Sequence, residues 1–298
     1  MRLHVGDANR HRSPRCQPCF VTAPSRWLHA PRPGVHAVEW LCEAVGTMLL
    51  LAGGLSAVCL DFGRGSWVAA HVMSVSLRLL ITGALFAGTG SLVAVSPLGR
   101  RSGAHLNPAV TLAFWITGHV HSHDLAGYWV AQLAGALAGA GLVRVFWGDV
   151  AGSVRFGTTH PAGGIGQVGA LGLEFLMTAL LVVVILGFVS SRSLMHWTPA
   201  ATWLVITVLV WQGAAHTGTS LNPARSTGPA VVGLDFSDLW IYVVGPLLAA
   251  AAVALTVRVL PRWRPLTARM FNDARYPTTM GSLVAVGPRA DEPARRDG

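Results

Sequence analysis

The tetrapeptide Leu-Asn-Pro-Ala occurs twice in this chain, within SGAHLNPAVT at 102–111 and within GTSLNPARST at 218–227. Asparagine is a favoured helix N-cap and proline is favoured at the first helical position, so each copy reads as a helix start. A single Asn-Pro is ordinary turn punctuation. Two copies, each followed by a short half-apolar run and each lodged between long hydrophobic segments, require one common explanation.

The surroundings set its terms. Of the 298 residues, 52% are hydrophobic and 12% charged, and the mean hydropathy is +0.50, the profile of a membrane protein. A helix that crosses a bilayer needs about 20 predominantly apolar residues. Six segments approach that length: 38–60, 79–96, 125–147, 168–189, 200–215 and 239–260. The runs opened by the two motifs, 107–118 and 222–233, are too short to cross. Each is a surface helix or a re-entrant one. Irregular backbone at membrane depth is tolerated where protein buries it or where it lines a water-filled cavity, so the re-entrant reading implies a cavity. The stretch AQLAGALAGAG at 131–141 supplies a small-residue face for close helix packing.

The formal charge is +9, and all 22 basic residues are arginines. They lie mostly in the tails and short connections with no aromatic-interleaved basic face, so nucleic acid is not an expected partner. Seventeen of them fall before the first span, in the connections holding Arg100, Arg101 and Arg192, or from Arg258 onward. The positive-inside rule then places both termini in the cytoplasm, as six spans require. The two motifs enter from opposite sides, and three spans in each half make the halves inverted relative to each other. The domain reading is a disordered cytoplasmic arm at 1–36, a membrane domain at 37–260 with repeats at 37–150 and 165–260, and a disordered cytoplasmic tail at 261–298. Cys16 and Cys19 form a lone CxxC, while Cys42 and Cys59 lie in an apolar run. With no second ligand pair, all four read as unpaired thiols and no metal site or other cofactor is expected. His119, His121 and His123 read as a solvated turn rather than a metal or pH device.

The halves also share a carboxylate. Glu43 precedes Thr47 in the first span as Glu174 precedes Thr178 in the fourth, and i, i+4 spacing puts each pair on one helix face. Carboxylates within a membrane are costly and carry a role by default. The reading adopted is that each holds the backbone of a re-entrant loop, in place of a proton relay.

With these residues in view, the chain resembles the aquaporin, or major intrinsic protein, family. The resemblance rests on SGAHLNPAVT at 102–111, TGTSLNPARSTGPA at 217–230, Glu43 with Gly46 and Thr47, Glu174 with Thr178, and YWVAQLAG at 128–135. It implies an all-α membrane bundle of six transmembrane helices and two re-entrant half-helices, one pore per subunit and a homotetramer. The pore motifs are then Asn107, Pro108, Ala109 and Asn222, Pro223, Ala224, with His105 stabilising the first loop. Two half-helices meeting at their N-termini aim dipole ends, each equivalent to roughly half an elementary charge, at the path and disfavour cations there. Each capping asparagine spends its side-chain oxygen on backbone donors, which leaves its amide NH2 to donate to a passing neutral molecule.

The resemblance also places a selectivity ring toward the outside. By spacing it comprises Ala87, Val210, Thr219 and Arg225, with Phe86 replacing Ala87 if the alignment slips by one. These residues match neither the Phe and His of water-strict members nor the paired aromatics of glycerol channels, whereas Ser226 and Ala230 follow the water type. Water and small neutral solutes such as glycerol therefore both stand as cargo. His216, nine residues before Arg225, is a candidate for the outer vestibule or for a packed position.

Other classes predict other features. An alternating-access transporter shares inverted repeats but usually needs a coupling-ion site, and away from the span ends the acidic residues are Glu43 and Glu174. No catalytic constellation of an enzyme is apparent. A structural membrane protein with this fold and little transport is the remaining alternative.

Overall fold

The computed structural model describes residues 34–260 and 263–271. The described residues form eleven α-helices: α1 (Ala37–Phe62), α2 (Trp67–His71), α3 (Val75–Val95), α4 (Pro97–Ser102), α5 (Pro108–Ile116), α6 (Ser122–Trp147), α7 (Asp149–Ser153), α8 (Gly166–Val189), α9 (Thr198–Thr217), α10 (Pro223–Gly233) and α11 (Leu239–Val259). Among the described residues, six helical segments are long and apolar enough to cross a bilayer: α1, α3, α6, α8, α11 and the segment Met195–Thr217 that contains α9. They match the six segments expected from hydropathy, with ends moved by a few residues. Six crossings return the chain to the side on which it began, here called the terminal face.

The short helices start where capping chemistry dictates. Asn107 and Asn222 have extended backbone, and their Oδ1 atoms accept from Ala109 N at 2.8 Å and Ala224 N at 3.0 Å. Pro108 and Pro223 occupy the first helical position, where a missing N–H costs nothing. Each half-helix packs on the last long helix of the opposite half, α5 on α11 and α10 on α6, so the two halves interlock.

Small residues bring the long helices together. A methyl group at Gly135 of α6 would collide with the Ala44 carbonyl of α1, and one at Gly139 would stand 2.5 Å from the Met48 carbonyl. The 131–141 stretch is thus the seam of the α1–α6 crossing. Where interhelical packing replaces water exclusion as the driving force, such a seam is what permits close contact.

Two expectations about the ends need correction. The arm was expected to run to residue 36, yet His36 is the N-cap of α1 and is buried, with its ring against Asp124; residues 1–33 lie outside the described residues. The tail was expected to be without structure from residue 261. Instead 263–271 runs across the terminal face: Leu266 N donates to Val189 O at 2.8 Å and Met270 N to Gly103 O at 2.9 Å. Thr267, Ala268, Arg269 and Met270 are buried there. A segment with no periodicity of its own is ordered because its backbone satisfies groups that the bundle offers.

Candidate functional site

The two loops leading into α5 and α10 are superimposable in their backbone logic. In the first, Gly103, Ala104 and Leu106 have φ of 100°, 54° and 50°; in the second, Gly218, Thr219 and Leu221 have 79°, 47° and 59°. Left-handed conformations at non-glycine residues cost on the order of 1–3 kcal/mol each and persist only where surroundings impose them. The surroundings here are the two carboxylates. Glu43 accepts from Ser102 Oγ (2.6 Å), His105 N (3.0 Å), Leu106 N (2.7 Å) and Gln132 Nε2 (2.8 Å). Glu174 accepts from Thr217 Oγ1 (2.7 Å), Ser220 N (3.0 Å) and Leu221 N (3.0 Å).

Both carboxylates are fully buried and every bond runs to the loop of their own half or to its immediate support. Tyr128 Oη donates to Ser102 O at 2.6 Å, and Tyr242 Oη donates to Thr217 O at 2.7 Å, completing the parallel. The Ser102/Thr217 and Tyr128/Tyr242 pairs were not assigned from the sequence. Their signal was present in retrospect: a lone tyrosine on each apolar helix, 21 residues after Asn107 and 20 after Asn222. Thr47 and Thr178 are buried beside the carboxylates as expected, but their hydroxyls find no partner among the described residues.

The loops bring the two motifs together through their asparagines. Asn107 Nδ2 donates to Leu221 O and Asn222 Nδ2 donates to Leu106 O, both at 2.9 Å. The amides are therefore not wholly free, as the capping argument alone implied. One hydrogen of each NH2 ties the halves to each other. An amide nitrogen carries two, so one donor per asparagine remains.

A cavity of about 300 Å³ passes both asparagines. It is lined by Val58 and Phe62 near the far end of α1 and by Ala94 and Met270 toward the terminal face, so it traverses the bundle. Ala87, Val210, Thr219 and Arg225 all line it, and so does Phe86. The two register alternatives on α3 are both present, the aromatic ring included. Arg225 is 7% exposed; its Nη1 donates to Gly157 O at 2.8 Å and its Cζ sits 5.5 Å from the centre of the Phe86 ring. A guanidinium so held is a fixed positive charge with donors left over. The Thr219 hydroxyl donates its hydrogen to Leu209 O at 3.3 Å, so within this ring Arg225 is the remaining side-chain donor.

One histidine reading is extended and two change. His105 lines the cavity and its Nε2 donates to Ala268 O at 2.8 Å, which links the first loop to the 263–271 segment. His216 is exposed and is not among the cavity-lining residues. His119 is buried rather than solvated, with Nε2 donating to Pro265 O at 2.9 Å, and burial pushes its imidazole down to about 4, so the ring is neutral at physiological pH. Gly157, whose carbonyl anchors Arg225, and Met270 left no pattern in the sequence from which either role is readable.

Comparison with known proteins adds an independent finding. A family model described as major intrinsic protein matches residues 35–257. A probable NIP-type aquaporin of Nicotiana alata is 33% identical over 221 residues, covering 74% of this chain and 76% of that one. The lens fiber major intrinsic protein of Gallus gallus is 35% identical over 216 residues, covering 71% and 79%. Among solved structures, the aquaglyceroporin from Plasmodium falciparum superposes with a TM-score of 0.62 at 22% identity, covering 76% of this chain and 98% of that one, a likeness of fold.

Proposed function

Because the chain belongs to the major intrinsic protein family, we propose that it is a passive transmembrane channel for water and small uncharged solutes such as glycerol. The observation that carries this reading is the reciprocal asparagine pair at the middle of a cavity that traverses the bundle. Two N-termini meeting there present positive potential to any cation, while one N–H per asparagine offers a neutral molecule a replacement for its lost hydrogen bond. Asn107, Pro108, Ala109, Asn222, Pro223 and Ala224 form the central constriction in this reading, with Glu43, Glu174 and His105 as loop supports.

The ring of Phe86, Ala87, Val210, Thr219 and Arg225 acts as the outer filter. Ala87 and Val210 are small and apolar, and the tied-back Thr219 hydroxyl adds no donor, so orientation of the solute falls to Arg225. An apolar wall facing a charged donor suits a small polyol, whose carbons and hydroxyls lie on opposite edges, as well as it suits water. Arginine placement favours both termini in the cytoplasm; in this reading the membrane is the cell membrane, and subunits assemble as homotetramers by family likeness. Passive conduction needs no bond-making step.

Stopped-flow light scattering on reconstituted vesicles tests the reading. Osmotic shrinkage faster than in empty vesicles supports it for water, and faster re-swelling in a glycerol gradient extends it to polyols. Rates equal to those of empty vesicles for both solutes overturn it.

A further inference from the structure

On the terminal face, away from the cavity, three side chains from two helix starts converge. His36 caps α1, while His123 and Asp124 lie in the first turn of α6. One ligand atom from each lies within 4.8 Å of the other two. Asp124 is completely buried, and its carboxylate faces His36 Nδ1 at 2.9 Å, Trp40 Nε1 at 2.9 Å and His123 Nε2 at 3.4 Å. The His123 ring is stacked on His121 with centroids 5.1 Å apart, and the buried His121 Nε2 has no hydrogen-bond partner among the described residues. From the sequence no metal site was expected, because His36 stands 88 residues from Asp124 and only the packing of α1 on α6 joins them.

We propose that His36, His123 and Asp124 form a binding site for a first-row divalent transition metal such as zinc. Two imidazoles and one carboxylate are the donor set that suits zinc, nickel or copper and does not suit magnesium or calcium. A tetrahedral ion with ligands about 2.0–2.1 Å away needs donor atoms roughly 3.3 Å apart. The His36–Asp124 and His123–Asp124 spacings, 2.9 and 3.4 Å, already meet that requirement. Only the remaining spacing must close, and the His123 side chain, 44% exposed, provides the movement by turning off the His121 ring and is also the entry path. Trp40 continues to hold one carboxylate oxygen, the outer hydrogen bond that orients a metal ligand. The fourth position falls to water or, after rotation, to His121.

A metal at His36 Nδ1 takes the place of the hydrogen that this atom now donates to Asp124, and the neutral ring keeps its one N–H on Nε2. Protons compete with metal for both imidazoles, so uptake weakens as pH falls. The bound ion pins the start of α1 to the start of α6 in place of the His36–Asp124 hydrogen bond.

The test uses the full chain in detergent, stripped with chelator and titrated with cobalt(II) chloride while visible absorption is recorded, followed by competition with zinc chloride. Cys16 and Cys19 are further candidate ligands, and thiolate ligation announces itself by a charge-transfer band. The expected result is one saturable cobalt per chain with tetrahedral d–d bands, no thiolate band, and displacement by zinc. His123→Ala and His36→Ala should each weaken uptake by at least about tenfold, while Cys16→Ser/Cys19→Ser leaves it unchanged. His123 is exposed enough for its alanine variant to fold, and unaltered osmotic shrinkage by that variant confirms that it has. Absence of saturable uptake overturns the proposal. So does uptake by the histidine variants equal to that of the unsubstituted chain, or a thiolate band that disappears with the cysteines.

Discussion

Glu43→Gln isolates the link between a buried carboxylate and an open path. The substitution keeps volume and shape but turns one acceptor oxygen into an NH2 donor. Oε1 takes Ser102 Oγ and His105 N, and Oε2 takes Leu106 N and Gln132 Nε2. Whichever oxygen becomes the amide nitrogen, one backbone N–H, that of His105 or of Leu106, is left facing a donor, while the Ser102 hydroxyl or the Gln132 amide can turn to accept. Losing one hydrogen bond to a charged group costs about 1.5–3 kcal/mol and weakening the other three to neutral bonds costs about 0.5–1 kcal/mol each, so the loss is about 3–6 kcal/mol. That is comparable with the whole stability of an ordinary domain, about 5–15 kcal/mol. The left-handed residues Ala104 and Leu106 are held by these bonds, so the loop should open before the bundle does. Hydrogen exchange at the amides of His105 and Leu106, followed by mass spectrometry in nanodiscs, should accelerate by about a hundredfold or more, since each 1.4 kcal/mol is tenfold. Water permeability per channel should fall with it. Exchange within about threefold of wild type, with unaltered permeability, would refute the assignment of Glu43 as the support of this loop.

Glu174→Gln should act in the same way on the second loop, read as faster exchange at Ser220 and Leu221. Thr47→Val removes a buried hydroxyl with no partner among the described residues, so thermal stability should be unchanged or slightly raised, by less than about 1 kcal/mol; a clear loss of melting temperature would reveal a partner. Phe86→Ala opens the ring beside Arg225 and removes a cation–π contact worth about 0.5–2 kcal/mol. The ratio of glycerol to water permeability should rise, and a constant ratio would mean that Phe86 does not line the narrowest point. Met270→Ala clears a side chain from the terminal end of the cavity, and osmotic shrinkage should quicken if 263–271 narrows that mouth; no change places the narrowest point elsewhere.

What was legible in the sequence was what is local. Apolar length marks a span, and Asn-Pro marks a helix start, because neither depends on distant partners. The duplicated Glu was legible because the cost of a buried carboxylate demands a reason. The choice between Ala87 and Phe86 was not, since spacing alone fixes a helix register no better than one residue and both side chains reach the cavity. The 263–271 segment was illegible for a different reason. Its order comes from His105 and His119 donating to Ala268 and Pro265 across 163 and 146 residues, with no apolar period to announce it. The amide geometry fell between these cases: capping predicts where each Asn oxygen goes, but only the meeting of the two halves decides where the first amide hydrogen goes.

The central claim is that two asparagine-capped half-helices, tied to each other through Leu106 O and Leu221 O, pass neutral molecules and stop protons. Water shrinkage and proton influx, recorded on the same reconstituted vesicles with a trapped pH-sensitive dye, address it most directly. The account predicts water permeability well above that of empty vesicles, with proton influx indistinguishable from theirs. Proton influx that rises with protein content alongside water would contradict it.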